Sequence, residues 1–148
     1  MTLFFPDINV WLALSDGGHS HHKPAQEWMS GVSESTGLIY SRFTHMGLLR
    51  LLTNPAVMAQ RTLTLGQAWT VYEGWLEDSR VMFYPEPAGV HADFRQATLP
   101  VDAEHASQWV GDCYLLAFTK HCSATLVTFD KALVSFAKKH GFKAVIPT

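Results

Sequence analysis

Cysteine is scarce in this 148-residue chain, which carries only Cys113 and Cys122. The two form neither a Cys-x-x-Cys pair nor a disulfide framework, so a stapled secreted scaffold is excluded and a reducing compartment suits the chain. An excess of positive charge is missing as well. Lys and Arg number 11 against 13 Asp and Glu, a formal net charge of −2. No bulk basic field therefore holds nucleic acid, and a polyanion must be met by a local patch or by metal ions. No uninterrupted apolar run reaches the roughly 18 residues that a membrane span needs. The apolar N-terminal stretch lacks a basic flank and is interrupted by Pro6, Asp7 and Asn9, unlike a signal peptide. Repeats, linkers and low-complexity tracts are also lacking. These absences predict a soluble cytoplasmic protein without a membrane partner, folded as a single domain over residues 1–148. With 47% hydrophobic and 16% charged residues, the chain has enough apolar surface for a core without staples.

What is present is an alternation of short apolar runs with amphipathic ones. The run ending at Pro6 reads as a buried strand, and Val10, Trp11, Leu12 and Leu14 read as a helix face. Further strands are predicted at 36–41, 81–84, 125–129 and 143–147. Helices are predicted from Pro24, from Arg42 to the Thr53-Asn54-Pro55 breaker, from the capping box Thr64-Leu65-Gly66-Gln67 to about Ser79, over 109–121 and over 131–139. Residues 89–97 are weakly helical, and another helix is expected to begin near Asp102 or Ala103. Strands alternating with helices along the full length predict an α/β fold: a mainly parallel central sheet of four to five strands with helices on both faces, hence three layers.

Three aspartates share a kind of position in this scheme. Asp7 and Asp130 each follow an apolar strand, and Asp112 opens the helix before the strand that ends at Asp130. Any one of them alone is explained as a helix N-cap or first-turn residue. Together they can point into one crevice at the carboxyl edge of the sheet, where sites of open α/β sheets form. Clustered carboxylates repel one another, and a hard divalent cation is the usual remedy.

Four blocks carry a resemblance: Phe5-Pro6-Asp7-Ile8-Asn9-Val10-Trp11-Leu12, residues Thr44 to Pro55, Gly111-Asp112-Cys113-Tyr114-Leu115-Leu116-Ala117, and Leu126-Val127-Thr128-Phe129-Asp130. In this order and spacing they resemble a PIN domain, specifically a VapC-type toxin of a bacterial toxin–antitoxin pair. The resemblance implies a metal-dependent endoribonuclease cutting single-stranded or loop RNA, with tRNA a common target in the family. It also implies a homodimer silenced by a cognate VapB-like antitoxin. Asp7, Asp112 and Asp130 match the family's acidic positions and would hold Mg²⁺ or Mn²⁺, and Asn9 matches a polar residue that orients the first carboxylate. Thr44, His45, Arg50 and Thr128 are accessory candidates. Where many members carry glutamate, this chain has His45, a poor substitute for a hard oxygen ligand of Mg²⁺. His45 is read either as a water- or Mn²⁺-holding group or as a polar residue at the crevice rim.

Two other readings compete. A degenerate PIN domain would bind RNA or a protein partner without turnover. A phosphoacyl enzyme or receiver domain with Asp7 as nucleophile is disfavoured, because Asn9 stands where the dehalogenase-type hydrolases place a second aspartate. The loop histidines His19, His21 and His22 lack a cysteine or carboxylate at ligand spacing and are expected to be solvated. The five tryptophans are expected in core or interface, and Arg42, Arg50, Arg61, Lys120 and Lys131 are candidates for a phosphate track.

Overall fold

Side-chain alternation along the central strands sorts the core into two layers. In the structure, a computed structural model describing residues 1–102 and 104–148, the strands are β1 (Leu3–Pro6), β2 (Gly37–Tyr40), β3 (Val81–Phe83), β4 (Thr125–Val127) and β5 (Ala144–Val145). Leu38, Tyr40 and Val127 face one side, where they pack with Val10, Trp11, Met29, Leu48, Leu52 and Tyr72. Phe5, Ile39 and Leu126 face the other, against Leu115, Phe118, Leu133 and Ala137. Period two on the strands thus meets period 3.6 on the helices, and each sheet face is covered.

The first layer contains α1 (Ile8–Ser15), α2 (His22–Gly31), α3 (Arg42–Leu52) and α5 (Leu65–Leu76). Between α3 and α5 come α4 (Pro55–Met58) and a 3-10 turn, Ala59–Arg61. The other side of the sheet carries α7 (Ala106–His121) and α8 (Lys131–Lys139), with α6 (Val90–Thr98) packed on α7. Capping follows the sequence: Ser41 and Thr44 form a capping box on α3, as Thr64 and Gln67 do on α5.

The strand order is β3-β2-β1-β4-β5 and every pairing is parallel. From β1 the chain winds outward to β2 and β3, then returns to lay β4 on the free side of β1. The direction of winding therefore reverses between β1 and β4. A crevice opens at such a point, outside the carboxyl ends of the two strands. Asp7 and Asp130 follow those ends.

Several boundaries differ from the sequence reading. Helix α2 starts at His22, two residues before Pro24, and α5 stops at Leu76. The indistinct segment after Pro55 forms α4, because Asn54 accepts from the Ala56 amide at 3.0 Å and Pro55 takes the first helical position. Ala103, where a further helix was expected to begin, lies outside the described residues, and the helix that follows begins at Ala106. That start precedes the expected one at Trp109. Asp112 consequently lies two turns into α7 instead of in its first turn, and capping does not account for it. Among the described residues, no helix is long and apolar enough to cross a membrane.

Candidate metal centre

The crevice is built around Asp7. Its amide donates to Val127 O at 2.8 Å, prolonging the β1–β4 pairing by one residue, and its side chain then caps α1 by accepting from the Ile8 amide at 2.7 Å. The second carboxylate oxygen accepts from the Thr128 hydroxyl at 2.8 Å and from Asn9 Nδ2 at 3.4 Å. Thr128 Oγ1 in turn accepts from Asn9 Nδ2 and from the Asp130 amide, both at 3.1 Å. One donor and two acceptor sites exhaust that hydroxyl. Asn9 closes the network by accepting from the Phe129 amide at 3.2 Å. The ends of β1 and β4 are thereby locked together by side chains that also aim the carboxylates.

Asp130 is exposed and caps α8, accepting from the Leu133 amide at 3.0 Å. Asp112 reaches the same crevice from α7 and is half-buried. Burial, with the charges of Asp7 and Asp130 added, pushes its carboxyl up to about 7. Burial also raises Asp7; bonds from Thr128 and Ile8 oppose this, and the charge of Asp130 adds to it. The three carboxylates therefore feel one another. Among the described residues none of them is paired with Lys, Arg or His.

An all-oxygen, anionic and uncompensated donor set fits Mg²⁺ or Mn²⁺ and poorly fits a soft metal. Among the described residues, no three or more His, Cys, Asp or Glu are grouped so that they could hold a metal ion by themselves. The arrangement suits a cation that keeps several of its own waters, as Mg²⁺ does.

The accessory candidates divide. Thr128 and Asn9 belong to the centre. Thr44 is fully buried, and its hydroxyl serves the α3 cap by donating to Ser41 O and accepting from the Ser41 amide. Arg50 is exposed on the last turn of α3.

His45 is not at the crevice rim. It is 2% exposed and lies flat on Tyr72 of α5, ring centroids 3.7 Å apart, with Trp69 edge-on at 4.7 Å. Its Nδ1 meets the Arg42 guanidinium at 3.0 Å, and Nε2 is buried without a partner. Burial and the neighbouring Arg42 charge both lower its pKa, so the ring is neutral. The α3 face that meets the centre presents Gly47, packed under the Ile8 side chain, and Phe43, packed on Gly111. That face carries no acid, so α3 contributes no carboxylate.

Of the cationic candidates, Arg42 lies over the Phe83 ring at 4.4 Å and Arg61 pairs with Asp16 at 2.9 Å. Lys120 sits on the last turn of α7, which leads into the start of β4 and so lies at the sheet edge opposite the crevice. Lys131 follows Asp130 and is exposed. Trp11 is fully buried and stacks on Tyr40 at 4.0 Å, as a core residue should, whereas Trp69 is 41% exposed. His21, expected as a solvated loop histidine, is exposed, and its ring lies on Phe129, the residue before Asp130. Local sequence carries no signal for that contact.

No protein-family model matches the chain. A curated relative, ribonuclease VapC41 of Mycobacterium tuberculosis, is 34% identical over 134 residues, covering 88% of this chain and 90% of the relative. Ribonuclease VapC39 of the same organism is 32% identical over 139 residues, covering 88% and 91%. Among solved structures, the sarcin–ricin loop cleaving toxin VapC20 of M. tuberculosis superposes with a TM-score of 0.66 at 16% identity, over 89% of this chain and 93% of that one. At that identity the likeness speaks for the fold, while the curated relatives decide the family. The chain belongs to the VapC family of PIN-domain ribonuclease toxins.

Proposed function

We propose that this VapC-family ribonuclease depends on Mg²⁺ or Mn²⁺, with Asp7, Asp112 and Asp130 as its metal-holding and catalytic carboxylates. The observation that carries this reading is the state of Asp112: half-buried, unpaired among the described residues, and driven to about 7 by burial and by Asp7 and Asp130. A protein gains no stability from charging such a group, whereas a divalent cation turns the repulsion into attraction. When bound, the cation supplies an activated water and neutralises charge on the phosphodiester during in-line displacement.

The chain's own residues do the positioning. Ile8 and Thr128 each occupy one oxygen of Asp7 with a hydrogen bond, which fixes the plane of the carboxylate. Asn9 ties that carboxylate to the backbone beside Asp130. The α8 cap holds one oxygen of Asp130 and leaves the other for the crevice. A locked carboxylate set loses little freedom when a phosphate and its cation arrive.

Loop or single-stranded RNA is the proposed substrate, acted on in the cytoplasm. The toxin VapC20, similar in fold, cleaves the sarcin–ricin loop, which supports an RNA loop as target. A VapB-like antitoxin is the proposed silencing partner. The VapBC2 complex of Rickettsia felis, with a TM-score of 0.67 at 12% identity over 98% of each chain, supports that assignment. So does an apolar cavity of about 540 Å³ beside Asp112, lined by Phe43, Met46, Phe94, Val110 and Tyr114. Exposed Leu65 and Trp69 on α5 support a homodimer.

The deciding experiment measures cleavage of total RNA by the parent and by Asp7→Asn with Mg²⁺ or Mn²⁺. Cleavage that needs the cation and is lost in Asp7→Asn is expected. Equal activity in the two proteins overturns the assignment, and no activity in either with both cations favours a domain that binds without turnover.

A further inference from the structure

The histidine-rich loop before α2 supplies nothing to the metal centre, yet one of its rings borders it. His21 is exposed and occupies the N-cap position of α2, where a side chain ordinarily folds back to accept an orphan amide. It makes no such bond. Its ring lies on Phe129 instead, with centroids 4.4 Å apart and planes 29° from parallel.

Phe129 sits between Thr128 and Asp130, and Asn9 Oδ1 holds its amide. The inner ring of the pair is therefore fixed to the hydrogen-bond network that aims the carboxylates. The loop holds the outer ring from behind. His19 Nδ1 accepts from the His21 amide at 3.0 Å, and His22 Nδ1 bonds Ala13 O of α1 at 2.8 Å. Behind these, Asp16 accepts from the Gly18 amide at 3.0 Å and from Arg61. Three anchors thus present one exposed, flat ring at the carboxyl edge of the sheet.

We propose that His21 and Phe129 form a stacking shelf that seats one unpaired nucleobase of the RNA beside the phosphate bound at the carboxylates. This rests on the ribonuclease reading. Every base has a π-face, so the shelf tolerates sequence while demanding an unpaired nucleotide. The chain has a net charge of −2, so its hold on RNA cannot come from a bulk positive field, and stacking supplies attraction that charge does not. Phe129 directly precedes Asp130 and its amide is held by Asn9, which also bonds Asp7, so the shelf adjoins the carboxylate network.

The test is a fluorescence-anisotropy titration of a labelled single-stranded RNA dodecamer of mixed sequence, in Ca²⁺ so that a hard cation still bridges phosphate and carboxylates, with a denaturing gel to show that the RNA stays intact. Parent, His21→Ala, His21→Tyr and His21→Lys are compared, and thermal melts confirm that each is folded. His21→Ala is expected to bind about ten-fold more weakly, within the range for loss of one base stack, and His21→Tyr to bind within two-fold of the parent. A dodecamer made abasic throughout should bind parent and His21→Ala alike. Unchanged affinity in His21→Ala overturns the shelf, as does rescue by Lys and not by Tyr, which would make the contact ionic. Cleavage by the parent in Mg²⁺ is scored separately. A parent that cleaves while His21→Ala keeps its RNA affinity and KM sinks the shelf alone. A parent that binds with the expected pattern and never cleaves sinks the nuclease reading and leaves the shelf.

Discussion

Thr128 donates its hydroxyl proton to Asp7 at 2.8 Å across 121 positions of chain. The same oxygen accepts from Asn9 and from the Asp130 amide, so one buried hydroxyl couples the Asp7 carboxylate to the backbone of Asp130.

Replacing Thr128 by Val keeps the shape and removes all three bonds. The variant is expected to lose at least about ten-fold in kcat and ~2 kcal/mol of stability, since the buried Asp7 carboxylate and the partly buried Asn9 side chain and Asp130 amide each lose a partner. Thr128→Ser restores the hydroxyl and should recover most of both. Cleavage kinetics and urea denaturation provide the check, and a fully active Thr128→Val shows that the carboxylates are aimed by other means.

Asp112→Asn separates the metal from the fold. The native carboxyl titrates at about 7 against an ordinary 3.8. Its neutral form therefore favours the folded state fully below the ordinary value, and that contribution is lost as pH rises through 7. At about pH 8 the Asn variant should melt higher than the parent, by roughly 5 °C, and the gap should close as pH falls toward the ordinary carboxylate value. Mg²⁺ should raise the melting temperature of the parent and not of the variant. A Tm that Mg²⁺ moves equally in both places the cation elsewhere.

His45 is predicted to act on stability and not on metal affinity. Its lowered pKa means that the unfolded chain takes up a proton more readily than the folded one. The stability it contributes is present above the ordinary value of 6.5 and is lost as pH falls through its folded value. His45→Phe should lessen the loss of stability between about pH 7.5 and pH 5. His45→Glu should not tighten Mg²⁺ binding, and it should destabilise the fold by burying a carboxylate among Tyr72 and Trp69, with only Arg42 to pair it. Tighter Mg²⁺ in His45→Glu would show that this position faces the crevice.

Asp16 is 5% exposed and paired with the exposed Arg61. The Arg61 bond holds its carboxyl below the ordinary value, so this stabilisation is present above that value and disappears as pH falls through the folded pKa. Arg61→Ala should lower the melting temperature near neutrality by an amount that shrinks in acid. An unchanged Tm at neutral pH would show that solvent serves Asp16 as well as Arg61 does.

The amino-acid sequence determined the repertoire of elements and the identity of the carboxylates. Apolar runs of strand length, helical periodicity and capping pairs such as Thr64 with Gln67 depend on near neighbours, and these placed the strands and main helices. Asp7 and Asp130 were legible because each ends an apolar run. Tertiary structure decided what depends on contacts between distant residues. The laying of β4 beside β1 turned two chain-distant aspartates into one crevice, and the earlier start of α7 freed Asp112 from any capping duty. His45 turned toward Tyr72 because a neutral ring at that α3 position finds aromatic surface on α5, while the small face at Gly47 packs under Ile8, the neighbour of Asp7. His21, read as a solvated loop histidine, gained a role only when folding brought Phe129 beneath it. Local chemistry is written along the chain, whereas the direction a side chain faces is set by partners that the chain order does not reveal.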